Sequence, residues 1–190
     1  MITFDLHHTH RPKALPSICF TAIDQAFLVW GALTLFIFSL AQFSTMSWTT
    51  QSLLDSALTG VGIAVTSGLT WAIANTAKLR WVIFLWAALM TLGTVVTAYG
   101  IFYSSALILS NLCVLWLGLC AAGYGAMAMG MKSRCFTAAF FVHLGAVIGL
   151  GNTLSCLPHY AMNLQFFSSG LVMASTLFFF SIVPWDRETL

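Results

Sequence analysis

Charge is what this sequence has least of. Only 6% of its 190 residues are Asp, Glu, Lys or Arg, against roughly 25% in ordinary soluble domains. Hydrophobic residues make up 59% of the chain, and its mean hydropathy is +0.93. No soluble fold hides that much apolar surface, so the composition implies a polytopic membrane protein whose exterior is solvated by the lipid bilayer. The few cations leave a net charge of +2 and are scattered. Nucleic acid, which needs a dense cationic face, is therefore excluded as a partner.

Also missing are the spacings by which chemistry usually announces itself. The five cysteines, Cys19, Cys113, Cys120, Cys135 and Cys156, are odd in number and contain no CxxC, which indicates neither a disulfide framework nor a zinc site. The chain lacks GxSxG, HExxH, a Walker-type GK[ST], paired intramembrane carboxylates and any long extramembrane segment. The expectation is a non-enzymatic protein with no cofactor and no metal centre. SLA at Ser39–Ala41 could end a leader, but the apolar run before it is too long, and it reads as a retained span.

What is present is a set of long uncharged intervals. Thirty uncharged residues separate Asp24 from Asp55, 22 separate Asp55 from Lys78, 51 separate Arg80 from Lys132 and 51 separate Arg134 from Asp186. A spanning helix takes about 20 residues, so each interval of 51 holds two spans and a turn. The turns are expected around Gly100 and Pro158. The predicted fold is an all-α bundle of six transmembrane helices at 24–44, 53–76, 80–102, 106–130, 135–156 and 164–185. Residues 1–23 form a tail with a short interfacial helix, 24–185 the membrane domain and 186–190 a second tail.

Every Lys and Arg falls on one side of this arrangement: Arg11 and Lys13 before the first span, Lys78 and Arg80, Lys132 and Arg134 in two connections, and Arg187 after the last. These are topology anchors, and they imply a bacterial cytoplasmic membrane with both termini inside. The recurrence of Lys78-x-Arg80 and Lys132-x-Arg134 also admits three tandem two-helix hairpins, although alternating charge alone yields the same spacing.

Thr21-Ala-Ile-Asp24 and Ser52-Leu-Leu-Asp55 both match a helix-capping tetrad, so both acids are expected at helix starts. Asp55, alone on the non-cytoplasmic side, is the stronger functional candidate of the two. On span five, Gly145, Gly149, Asn152 and Cys156 form a stripe of small residues, and span four offers Gly118, Ala121, Gly125 and Ala126, Gly130. Such stripes let helices approach closely, and contact with another span of the same chain is expected, with a homodimer seam or another membrane protein as the alternative.

His143 is the one ionisable residue well inside a span. It is expected neutral, with a ring nitrogen donating to a hydroxyl or carbonyl, and Ser67, Tyr124 and Ser175 lie at matching depth. Met127 and Met131 share a face and could suit a soft copper ion, though Met in an apolar helix is usually filler. The basic connection before LRWVIFLW, then GYGAMAMGMKSRCFTAAFFVHLG, then a short polar turn and a last apolar span, resembles a family of uncharacterised bacterial and cyanobacterial integral membrane proteins, some described as photosystem-associated. The resemblance covers about residues 70–185 and implies no activity. Three functions are in view: an accessory or assembly protein acting through helix contacts; a small-solute or ion permease with a path near Asp55, His143, Asn111 and Asn152; and a metal or redox protein using His143 with Cys113 or Cys120.

Overall fold

The computed structural model describes residues 21–156 and 164–182, of which 154–156 are described as backbone only. Arg11, Lys13, Arg187, the tail helix, Cys19, the Cys156 side chain and the turn at Pro158 lie outside the described residues. Within them the chain is helical: α1 Ala22–Phe43, α2 Trp48–Thr76, α3 Arg80–Phe102, α4 Ala106–Ser110, α5 Leu112–Met131, α6 Arg134–Cys156 and α7 Gln165–Ile182. Six of these, all but α4, are long and apolar enough to cross a membrane. The fold is the all-α, six-span bundle that the uncharged intervals predict.

Local chemistry sets the helix ends. At the start of α1, Thr21 Oγ1 accepts from the Asp24 N–H at 3.2 Å while an Asp24 carboxylate oxygen accepts from the Thr21 N–H at 2.8 Å, closing the predicted capping box. The expectation for Asp55 is corrected. Helix α2 begins five residues earlier than predicted, on Ser47, whose hydroxyl accepts from the Thr50 N–H at 3.2 Å, and this puts Asp55 two turns inside the helix. The predicted fourth span is likewise broken at Asn111. There the backbone leaves helical geometry at φ −109° and ψ 15°, and the side-chain amide donates to the Leu107 carbonyl at 2.9 Å.

Aromatic pairs fix the packing and the directions of the helices. Phe43 meets Phe167 at 5.5 Å and Trp48 meets Phe166 at 5.9 Å between ring centroids at one end, while Phe27 meets Phe180 at 5.4 Å and Phe136 meets Phe180 at 5.0 Å at the other. Helices α1 and α7 are therefore antiparallel and form the closest seam, where a Cβ on Gly170 would lie 2.5 Å from Phe38 Cβ and one on Gly31 2.7 Å from the Phe178 ring. At Gly170, where the neighbour is a Cβ fixed to the backbone, only glycine permits that approach. Helix α6 packs mainly on α5, and α7 on α1, so the last two spans are not the close hairpin that a tandem repeat requires.

The described cations, Lys78, Arg80, Lys132 and Arg134, gather at the end of the bundle that carries the Asp24 cap, hereafter the basic end. Arg80 lies 5.1 Å over the Trp71 ring there. Lys78 and Lys132 both take left-handed backbone, with φ 57° and 50°, at positions where helices more commonly place glycine. Holding a lysine there costs on the order of 1 kcal/mol. A positive charge beside a helix C-terminus offsets part of that, and charge at this membrane face is what a glycine cannot supply.

Large apolar side chains such as Phe84, Phe36, Val95 and Phe141 are exposed around the perimeter, as a lipid-facing surface requires. Hydroxyls inside the spans are returned to their own helices, as in Thr66 to Gly62 O at 2.7 Å and Thr94 to Met90 O at 2.9 Å, which satisfies them without water.

Candidate functional site

Between α1, α2, α3, α5 and α7 the bundle does not close. A cavity of about 70 Å³ occupies the half away from the basic end, reaching out to Trp48, Ile101 and Phe166. It is lined on α2 by Gln51, Ser52, Asp55, Ser56 and Thr59, and on α3 by Thr94 and Thr97. At about 1.5 Å per residue, Asp55 lies roughly 12 Å along α2 from its Ser47 cap. Gln51, one turn earlier, interacts with its carboxylate. Oδ1 is buried and has no hydrogen-bond partner among the described residues. A buried acceptor left open costs about 1–3 kcal/mol, and Oδ1 is such an acceptor at the edge of a void whose walls are mostly apolar.

A second cavity, of about 170 Å³, occupies the half toward the basic end and reaches Ile73, Leu79 and Met131. It is lined by Thr66, Ser67, Thr70, Tyr124 and Met127 among apolar residues. Trp30, Thr34, Met90, Cys120 and Met173 line both cavities, so the two meet at a waist near mid-bundle. Trp30 is braced there by its indole N–H, which donates to Thr66 Oγ1 at 3.1 Å. Away from the basic end the Trp116 indole donates to Thr97 Oγ1 at 3.1 Å, and toward it the Trp86 indole donates to Met127 Sδ at 3.0 Å. Three tryptophans thus pin the cavity walls from α1, α3 and α5.

The other candidates divide sharply. His143 lies outside both cavities and is fully buried. Its Nδ1 is 2.9 Å from the Ala139 carbonyl, and because a carbonyl only accepts, Nδ1 carries the hydrogen. The ring packs 4.9 Å from that of Tyr124, inside a cluster with Phe136 and Phe180. Its partner is thus a carbonyl, as expected. Neither Ser67 nor Ser175 takes that place, Ser175 donating instead to Val172 O. Nε2 is buried with no partner among the described residues. Of the two ionisable candidates for a permease path, Asp55 lines a described cavity and His143 lines neither.

Asn111 is exposed at the α4–α5 break and Asn152 is exposed on α6, so neither lines the cavities. Cys113 and Cys120 are buried, but no group of three or more His, Cys, Asp or Glu is placed to hold a metal among the described residues. Gly125 does pack, with a Cβ there 3.1 Å from the Phe140 ring. A Cβ on Gly118, Gly145 or Gly149 would meet nothing within 4 Å, and Gly145 and Gly149 are exposed. The expected contact of the α6 stripe with another span of this chain is therefore corrected.

The signal the sequence did carry for the cavity is the threonine and serine content of α2, with Ser52, Ser56, Thr59, Thr66, Ser67 and Thr70 spaced along it. No protein-family model, no curated protein and no solved structure matches the chain. Function is argued from the cavities themselves.

Proposed function

We propose that this protein is a multi-pass protein of a bacterial cytoplasmic membrane that admits a small cationic or hydrogen-bond-donating solute from the non-cytoplasmic side. The basic end faces the cytoplasm in this reading, since cations mark the cytoplasmic face, and the Asp55 cavity then faces outward. The observation that carries the proposal is the unpartnered Asp55 Oδ1 on a mostly apolar cavity that abuts a second cavity across the waist. Ionisable groups inside spans are costly and usually mark solute or ion paths.

Access is the test. Ser56→Cys is placed in a chain whose five native cysteines are replaced by alanine, and intact right-side-out vesicles are treated with small, membrane-impermeant methanethiosulfonates. The expected result is labelling from outside, faster for a cationic than for an anionic reagent, with Asp55→Asn reducing that preference several-fold. Reaction of the Ser56→Cys variant only after detergent unfolding would rule out an open outer cavity.

A second reading, an accessory or assembly role through helix contacts, is favoured by the α6 face at Gly145 and Gly149, which the described residues leave uncovered. Small-residue faces promote close helix association in lipid. A Cβ at Gly149 meets nothing within 4 Å among the described residues, so Gly149→Leu should leave the unfolding midpoint unchanged while weakening in-membrane cross-linking to a partner. Unchanged cross-linking would count against this reading.

A further inference from the structure

Sulfur is concentrated at the cavities. Of the chain's eight methionines, Met90, Met127, Met131 and Met173 border the two voids, together with Cys120. They come from α3, α5 and α7, so no single helix repeat places them there. Methionine usually fills irregular gaps in cores; here the thioethers edge a gap and leave it open.

At the waist, the Cys120 thiol donates to Met173 Sδ across 3.6 Å, and Met90 lines the same constriction from α3. Two sulfurs that share one ion at about 2.3 Å each, in tetrahedral or trigonal geometry, sit roughly 3.8–4.0 Å apart. The observed pair needs only a few tenths of an ångström of side-chain movement to accept an ion between them. Met127 and Met131 follow Cys120 at i+7 and i+11 on α5, along one face toward the basic end. Asp55 lines the outer cavity that ends on this waist.

We propose that the waist is a binding site for a soft monovalent cation, Cu(I) being the biological candidate, with Cys120 and Met173 as ligands and Met90 as the third. Thiolate and thioether donors select Cu(I) over hard cations. The valence follows from charge. The ion replaces the thiol hydrogen, which leaves as a proton, so one monovalent cation and one thiolate form a neutral unit. A divalent ion would leave a net charge in the bundle centre, where an uncompensated charge is costly.

The proposal deepens the passage reading by naming its substrate class, and its test does not depend on transport. Full-length protein in detergent, with Cys19, Cys113, Cys135 and Cys156 replaced by serine, is titrated anaerobically with Cu(I) against a chromophoric Cu(I) chelator. One equivalent should be captured, with an all-sulfur shell at about 2.3 Å in X-ray absorption. Cys120→Ser should abolish capture. Met173→Leu, which keeps side-chain volume, should weaken it at least tenfold without moving the unfolding midpoint. In the otherwise native chain, Met90→Leu and Met173→Leu repeat the comparison without touching a thiol. Absence of capture, or capture unaffected by these variants, would overturn the proposal. Capture without outside labelling at Ser56→Cys would keep the metal site and discard the passage, whereas labelling without capture would discard the metal site alone.

Discussion

Asp24 and Asp55 close tetrads of one pattern, Thr-x-x-Asp and Ser-x-x-Asp, and the bundle puts them to opposite uses. At the first turn of α1 the backbone N–H groups have no carbonyl to bond, and Asp24 is consumed in supplying one, accepting from Thr21 at 2.8 Å. Two turns inside α2 the N–H groups are already committed to carbonyls four residues back. Asp55 therefore has nothing to cap and must find partners sideways, and it finds Gln51 and a void. Register along the helix, set here by which serine serves as the cap, decides whether a carboxylate is structural or free to meet a ligand.

The comparison breaks most visibly at Asp55. Removing an unsatisfied buried acceptor should stabilise, and Asp55→Leu is expected to raise stability by about 1–3 kcal/mol, read from tryptophan fluorescence during unfolding in mixed micelles. The same variant should lose the preference for cationic reagents at Ser56→Cys. A loss of stability instead would make Asp55 a structural partner like Asp24 and remove the reason to place a solute beside it.

At Asp24 the sign reverses. Thr21→Ala opens the capping box and should cost about 1 kcal/mol by the same unfolding measurement, with outside labelling at Ser56→Cys unchanged. A cap that also altered labelling would couple the basic end to the outer cavity, contrary to a purely local role.

Much of the architecture was legible because the bilayer imposes it. Span length and the penalty on charge make the uncharged intervals a direct ruler, and α3 matches its predicted 80–102 bounds. The pairs Lys78, Arg80 and Lys132, Arg134 read correctly as sharing one end because hairpin connections alternate sides. Packing partners were not legible. Gly170 and Gly149 are both small residues in apolar helices, yet one is pressed against Phe38 and the other faces nothing, and only the third dimension separates them. The cavity was hidden for the same reason: its walls come from five helices, and no single segment shows which of its threonines share a wall. His143 drew attention as the lone ionisable residue in mid-span, but it is buried against Tyr124 and lines neither cavity.

The smallest predicted effect bears on the register itself. Ser47 and Ser52 both precede the apolar part of α2, and the tetrad pattern favours Ser52 as the cap. In the fold Ser47 Oγ accepts from the Thr50 N–H at 3.2 Å and pairs with Thr50 Oγ1 at 2.8 Å, whereas Ser52 lies inside the helix, its backbone carbonyl accepting from Ser56 Oγ at 2.7 Å. Ser47→Ala should therefore cost about 0.5 kcal/mol, the low end for a cap because the site is exposed. Ser52→Ala should change stability by no more than a few tenths, since no helix N–H depends on its hydroxyl. If the order were reversed, α2 would begin at Ser52, its first turn would claim Asp55 as a cap, and the carboxylate would have no reason to face the cavity.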